Sequence, residues 1–159
     1  MGLINFVKGA GAKLTGKEKD PTQAEEFQEL RKGNVLMQHV MAHELDIENM
    51  KITYDDGIAT IAGVCPTQEM REKVILAVGN VAGVAQVDDR IEVAKAEPAG
   101  FYHTVISGDT LSKLAKKHYG DAMKYPIIFA ANQPMLKHPD KIYVGQVLRI
   151  PPVDEHLKM

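Results

Sequence analysis

Apolar and polar residues repeat along the first part of the chain with two different periods. Apolar residues three or four positions apart predict helices, and strict alternation predicts strands. In chain order the predicted elements are a helix over 22–43, strands over 50–54 and 58–64, a helix over 67–78 and a strand over 84–93. Asp55, Asp56 and Gly57 join the first two strands and have the composition of a hairpin turn. The order α-β-β-α-β predicts a small α+β sandwich.

The predicted helices carry signals at their ends and on one face. Thr22, with Glu25 three residues later, has the pattern of a capping box, and Thr67 is the predicted cap of the second helix. Gly33 leaves open whether the first helix is one helix or two. The apolar positions of this helix are supplied by Phe27, Leu30, Leu36, Val40 and Met41.

The N-terminal residues also repeat with a helical period. Leu3, Phe6, Val7, Ala10 and Leu14 predict a short amphipathic helix over 3–14, which Gly9 and Gly11 weaken. Polar residues over 15–21 then predict a turn or a linker.

The second part of the chain has the order β-α-α-β. Pro98 and Gly100 discourage regular structure and predict a linker over 95–100. Beyond it the pattern predicts a strand over 101–106, helices over 110–119 and 122–131, and a strand over 147–150. The predicted organisation is an N-terminal segment (1–21) that packs on a first domain (22–94), the linker, a second domain (101–151) and a tail (152–159).

Charge and cysteine content narrow the possible partners and compartments. The first 99 residues carry a net charge of −5 and the remaining residues carry +3, without the basic stripe that nucleic-acid binding requires. Cys65 is the single cysteine and is predicted to be a buried structural thiol. We find neither a signal-peptide pattern nor an apolar run of about 18 residues. We therefore expect a cytoplasmic monomer without a transmembrane segment.

Motifs for catalysis or for side-chain metal sites are weak. The chain has no Gly-x-Ser-x-Gly or phosphate-binding loop, and we expect no enzyme and no organic cofactor. His39 and His43 are one helical turn apart and could contact zinc, but a third ligand is not apparent, which favours a solvated helix face. Asp88 and Asp89 lack the spacing of a calcium loop.

The second part of the chain resembles a LysM domain. The matching residues are Tyr102, Val105, the run SGDTLS over 107–112, Leu114, Ala115, Tyr119, Gly120, the run IFAAN over 128–132 and the run GQVLRIP over 145–151. The match covers essentially all of 101–151. Val144 departs from the pattern, because the family often has proline before Gly-Gln.

The first domain resembles a BON domain. The matching residues are Ile52, Tyr54, Gly57, Ala59, Ile61, Gly63 and the run VAGVAQVDD over 81–89. A BON domain followed by a LysM domain, together with the opening MGLINFVKGAG and residues 132–143, is similar to a family of bacterial cytoplasmic potassium-binding proteins. The resemblance therefore implies that the chain binds or senses the potassium ion (K+).

Potassium sites in proteins are often made of neutral carbonyl oxygens, which leave no side-chain signature. The end of the helix before Asn80 and the glycine-containing stretch over 7–12 can both present free carbonyls. The hypothesis is a site formed by the backbone oxygens of Val7, Ala10, Ala12, Gly79, Val81 and Val84. The resemblance implies a carboxylate side chain at position 12, where this chain has alanine. The backbone carbonyl of Ala12 can still serve as a ligand, because it does not depend on the side chain. Gly79 and Gly83 are equally explained as a helix stop and a tight turn.

The LysM resemblance implies an alternative function, the binding of peptidoglycan or another N-acetylglucosamine polymer. The corresponding groove positions are Gly108, Asp109, Thr110, Leu111, Asn132, Pro134, Ile142 and Tyr143. Asp109 and Thr110 are also explained as turn and helix-cap residues.

Overall fold

The computed structural model describes residues 2–11 and 25–152. The first module is a four-stranded sheet in the order β1-β4-β3-β2, covered by two helices. Its elements are β1 (Gly2–Asn5), α1 (Glu25–Ala42), β2 (Glu48–Asp55), β3 (Ile58–Thr67), α2 (Gln68–Gly79) and β4 (Gln86–Lys95). Strands β2 and β3 form the predicted hairpin, and β3 and β4 are parallel, with α2 as the crossover between them. The predicted α+β class and the order from α1 to β4 are confirmed.

The N-terminal segment is a strand rather than the predicted helix. β1 pairs antiparallel with β4, with Ile4 opposite Val87, and the Phe6 amide then donates to the Ala85 carbonyl over 2.8 Å. Hydrogen bonds to a strand distant in sequence outweigh the weak local helical pattern, which Gly9 breaks with a φ of 94°. The other predicted helix residues, Ala12 and Leu14, lie outside the described residues.

Helix α1 is continuous through Gly33 and packs over β2. A Cβ atom at Gly33 would be 2.8 Å from the Ile52 carbonyl oxygen, so glycine permits this close approach. Leu36 and Val40 are fully buried, whereas Leu30 and Met41 are more than 60% exposed. Two of the five apolar positions therefore lie outside the buried stripe, which follows the line of Gly33. Thr22, the predicted cap, and the side chain of Phe27 lie outside the part of the chain that the structure describes.

Helix α2 begins where the sequence predicts. Thr67 Oγ1 accepts a hydrogen bond from the Met70 amide at 3.2 Å, as expected of an N-cap. Val74, Ile75 and Val78 point into the core of the first module. The helix ends at Gly79, beside the turn 80–85 that leads to β4, which we call the α2–β4 turn.

The second module is a two-stranded antiparallel sheet with two helices. Its elements are β5 (Phe101–Thr104), α3 (Leu111–Tyr119), a 3-10 turn (Ala122–Lys124), α4 (Tyr125–Ala131) and β6 (Val147–Ile150). Thr110 caps α3, as predicted, and Gly120 ends it in the left-handed conformation. The predicted helix over 122–131 is divided into the 3-10 turn and α4, which places Pro126 in the first turn of α4, where no backbone donor is needed.

The two modules are joined by buried polar contacts between α2 and β6. Arg149 Nε lies 2.6 Å from Glu72 Oε1, and both side chains are at most 2% exposed. Glu72 also accepts from the Gly100 amide, so the end of the predicted linker is bound to α2. The Asn80 side chain donates to the Val147 carbonyl and accepts from the Val147 amide, both over 2.9 Å. Within the described residues, no helix combines the length and apolarity that crossing a membrane requires.

Candidate functional sites

The stretch over 6–11, which we call the N-terminal loop, lies directly on the end of α2. A Cβ atom at Gly79 would be 2.0 Å from the Phe6 ring, and one at Gly11 would be 1.5 Å from the Asn80 carbonyl oxygen. A side chain at Gly79 would therefore collide with the Phe6 ring, and one at Gly11 would collide with the Asn80 backbone. The structure thus brings together the two stretches that the sequence singled out as carbonyl donors. The predicted ligand Ala12 lies outside the described residues.

Within the described residues, backbone hydrogen bonds use only some of the carbonyl groups at this junction. The Val81 carbonyl accepts from the Val84 amide over 3.1 Å, and the Val7 carbonyl accepts from the Ala10 amide over 3.2 Å. Among the backbone hydrogen bonds of residues 2–11 and 25–152, none uses the carbonyls of Ala10, Gly79 or Val84. Each carbonyl oxygen has two lone pairs, so even the paired ones retain acceptor capacity. The negative end of the α2 dipole points at the same place. The chemistry of this donor set suits a large monovalent cation.

Two side chains contact the α2–β4 turn in a way that the sequence did not reveal. Lys32 Nζ donates to the Ala82 carbonyl over 3.3 Å, and the Tyr54 hydroxyl donates to the Gly83 carbonyl over 2.8 Å. Burial lowers the pKa of Lys32 and raises the pKa of Tyr54. These donors come from α1 and β2, at least 29 residues away along the chain, and no local motif relates them to the turn.

Side-chain metal ligands do not cluster in the described part of the chain. Over residues 2–11 and 25–152, no three His, Cys, Asp or Glu side chains converge as a metal site would require. The rings of His39 and His43 meet edge to face at 4.6 Å, and His43 Nδ1 lies 2.9 Å from the His39 carbonyl. Burial, with a smaller contribution from His43, lowers the pKa of His39. Cys65 is fully buried, which raises the pKa of its thiol to about 11.

The second module has a cleft of about 380 Å³ at the start of α3. Its walls are formed by Thr110, Leu111, Ser112, Tyr125, His138, Pro139 and Asp140. Thr110 and Leu111 belong to the predicted glycan groove, whereas the facing wall over 138–140 was not predicted. The cleft is polar on the loop side and carries one aromatic ring, from Tyr125.

Other predicted groove residues have structural contacts. Asp109 Oδ2 accepts from the Ile106 amide and lies 2.8 Å from His103 Nε2, and these contacts lower the pKa of the Asp109 carboxyl, the backbone bond most. The Gly108 carbonyl accepts from Lys113 Nζ. Tyr143 is 37% exposed, and Ile142 packs against the core of the second module.

Asn132 is buried, and its amide is used by the fold. Its Nδ2 donates to the carbonyls of Ile128 and Arg149, and its Oδ1 accepts from the Arg149 amide, all within 2.9 Å. This side chain therefore ties α4 to β6, and its donor hydrogens are not available to a glycan. A cis peptide bond joins Gln133 to Pro134, the remaining predicted groove residue.

Comparison with known proteins agrees with the two-module structure. A BON domain model matches residues 34–95, and a LysM domain model matches residues 103–151. An esterase of Mycobacterium tuberculosis strain H37Rv is 54% identical over 48 residues, which is 30% of this chain and 10% of the esterase. An uncharacterized protein of Deinococcus radiodurans strain R1 is 44% identical over 69 residues, or 43% of this chain and 26% of that protein.

A further relative matches along nearly the whole chain. Potassium binding protein Kbp of Escherichia coli O6:H1 strain CFT073 is 47% identical over 156 residues, which cover 95% of this chain and 99% of the relative. The N-terminal residues, the first module and the second module therefore all match this relative, in the same order along the chain. The chain belongs to the family of BON–LysM proteins that includes potassium binding protein Kbp.

Proposed function

We propose that the protein binds K+ through backbone carbonyls of Val7, Ala10, Ala12, Gly79, Val81 and Val84. The observation that carries this proposal is the seating of Gly11 against the Asn80 carbonyl, which joins the two carbonyl-bearing stretches. Neutral oxygens replace the hydration shell of K+ without the charge that would favour a divalent ion. The 47% identity to a protein named for potassium binding supports the same reading.

Binding of K+ would also make the molecule more compact. The N-terminal loop contacts the second module as well as α2, because a Cβ atom at Gly145 would be 2.9 Å from Ala10 Cβ. An ion held between this loop and the α2–β4 turn favours the closed arrangement by mass action. We infer a cytoplasmic monomer that senses K+ and carries out no catalysis.

Calorimetry and thermal unfolding in KCl, NaCl and choline chloride at one ionic strength test the proposal. We expect heat of binding and a raised thermal midpoint in KCl only. Gly11→Ala is expected to weaken binding strongly, because the added Cβ would displace the Asn80 carbonyl. Lys116→Ala is the control, since Lys116 is exposed on α3 of the second module, away from both stretches. Identical behaviour in the three salts up to tens of millimolar would overturn the proposal.

A second candidate function is the binding of peptidoglycan or another N-acetylglucosamine polymer. The match to the LysM model and the cleft beside Thr110 and Leu111 favour it. In an NMR titration with chitin oligomers, we expect the amides of these residues and of residues 138–140 to shift. If their signals stay unmoved at millimolar ligand, this function is excluded.

A further inference from the structure

A positive charge from α1 lies beside the turn that carries the proposed potassium ligands. Lys32 Nζ is 3.3 Å from the Ala82 carbonyl oxygen, and a Cβ atom at Gly83 would be 3.4 Å from the same nitrogen. Ala82 and Gly83 are the two residues between Val81 and Val84. Lys32 therefore contacts the middle of the segment whose two ends are proposed to hold K+.

The fold keeps the Lys32 ammonium group in this position. The nitrogen lies 5.8 Å from the centre of the Tyr54 ring, a distance at which a cation is attracted to the aromatic face. The Tyr54 hydroxyl holds the next carbonyl of the turn, that of Gly83. Lys32 is also partly buried, so water screens its charge less than it would at an exposed site.

We propose that Lys32 determines the affinity of the potassium site by opposing the bound cation, an inference that rests on the proposed function. Its ammonium group donates a hydrogen bond to the Ala82 carbonyl of the α2–β4 turn and repels a potassium ion held by the neighbouring carbonyls. Lys32 is thus a built-in competitor of K+. It keeps the binding weaker than the carbonyl set alone would allow.

The expected size of the effect follows from the spacing. Val81 and Val84 lie one and two residues from Ala82, so their oxygens are within roughly 10 Å of the ammonium nitrogen. Two unit charges about 8 Å apart repel by an amount equal to about a twofold change in affinity in bulk water and about a thirtyfold change at the effective dielectric constant of about 20 that applies near a protein surface. Between these limits, we expect about a fivefold change for a partly exposed ammonium group.

Three variants of the full chain separate this charge effect from loss of structure. Lys32→Met keeps the length of the side chain and removes its charge, whereas Lys32→Arg keeps the charge. Lys116→Met removes a positive charge from an exposed position on α3 in the second module. Potassium affinity is measured by calorimetry at pH 7 and constant ionic strength, and the thermal midpoint in choline chloride checks that each variant is folded.

We expect Lys32→Met to bind K+ about fivefold more tightly than the wild type, with the other two variants within twofold of it. If the wild type binds K+ and Lys32→Met binds it equally or more weakly, the role of Lys32 is overturned while the proposed function stands. An equal gain in potassium affinity in Lys116→Met would also overturn that role, because the gain would then result from the lower net charge of the protein and not from the position of Lys32. The absence of binding by wild type, Lys32→Met and Lys32→Arg alike would overturn the proposed function, and this inference with it.

Discussion

Gly79 is the residue at which the N-terminal loop meets α2, and its lack of a side chain decides the contact. The Phe6 ring occupies the space where a Cβ would stand, with three ring carbons within 2.3 Å of that position. The ring itself is only 9% exposed. Shape, rather than backbone flexibility, is therefore the reason for glycine at this position.

Replacement of Gly79 is expected to weaken this contact. In Gly79→Ala the Phe6 ring must move, and overpacking of this kind lowers the free energy of unfolding by about 1–3 kcal/mol. Urea denaturation measures the loss. The double variant Gly79→Ala with Phe6→Leu is expected to lose less free energy of unfolding than the two single variants lose in total, because the smaller leucine side chain makes room for the methyl group. Strictly additive losses would show that the contact is not the cause.

Cys65 provides a prediction of pH dependence. Its thiol is fully buried, and burial raises its pKa from 9.0 to about 11, so the folded chain retains a proton that the unfolded chain releases above pH 9. The resulting contribution to stability is present below pH 9 and is lost as the pH rises from 9 to 11. In Cys65→Val this loss of stability, measured by urea denaturation at several pH values, is expected to be smaller, and the remainder is expected from Tyr54 and Tyr102, whose pKa values burial also raises. A variant with the same decline over this range would exclude Cys65 as its cause.

Helix α2 and strand β6 are the elements that connect the modules. Their contact includes the ion pair of Glu72 and Arg149, which is withdrawn from water. Glu72 has two further donors, Gln68 Nε2 and the Gly100 amide, so its carboxylate is enclosed by three hydrogen bonds. Such a pair specifies one docked arrangement, because a displaced second module would leave the carboxylate buried and poorly paired.

Removal of Arg149 is expected to destabilise the protein far more than removal of an exposed arginine. Arg149→Met leaves a buried carboxylate and should lower the free energy of unfolding by about 3–5 kcal/mol. Arg90→Met is the matched control, since Arg90 pairs with Asp88 at the surface, where water screens the pair and its removal should change the free energy of unfolding little. The double variant Glu72→Gln with Arg149→Met should recover part of the loss. If Arg149→Met and Arg90→Met lost equal free energy of unfolding, the buried pair would not stabilise the protein more than the surface pair does.

The sequence predicts the elements whose signals are local. Thr67 and Thr110 cap their helices as predicted, because capping depends on residues three positions apart. The pairing of β1 with β4 could not be predicted, because it joins Ile4 to Val87 across the whole first module. The proposed carbonyl ligands are hidden for a different reason, since every residue has the same backbone oxygen. The sequence indicated their places only through Gly79 and Gly11, and it gave no sign of Lys32.

At the scale of the whole molecule, the core of the first module extends into the second. Val147 is buried in that core, and Tyr102 and Met135 pack against it. Burial raises the pKa of the Tyr102 hydroxyl, with a smaller contribution from Glu72 across the contact. The boundary expected near Pro98 therefore separates two sequence modules, but they share packing in the folded chain. The binding proposed at the α2–β4 turn would thus influence the second module directly.

Asn80 is the residue through which this influence would pass. Its backbone carbonyl lies under Gly11, and its side-chain amide pairs with both polar backbone groups of Val147. In Asn80→Ala the Val147 amide loses its acceptor, so its hydrogen exchange should become about tenfold faster. The Val105 amide is the internal control, because it donates to the Gln146 carbonyl at the end of the same sheet and does not depend on Asn80.

The ratio of the two exchange rates is the informative quantity, since a general loss of stability would accelerate both amides together. A raised ratio in Asn80→Ala would mean that this side chain holds β6 on the end of α2. In the wild type, K+ should lower the same ratio, because an ion at the α2–β4 turn fixes Asn80 in place. If K+ slows exchange at both amides equally, or the variant leaves the ratio unchanged, the two modules are coupled by the Glu72–Arg149 contact instead.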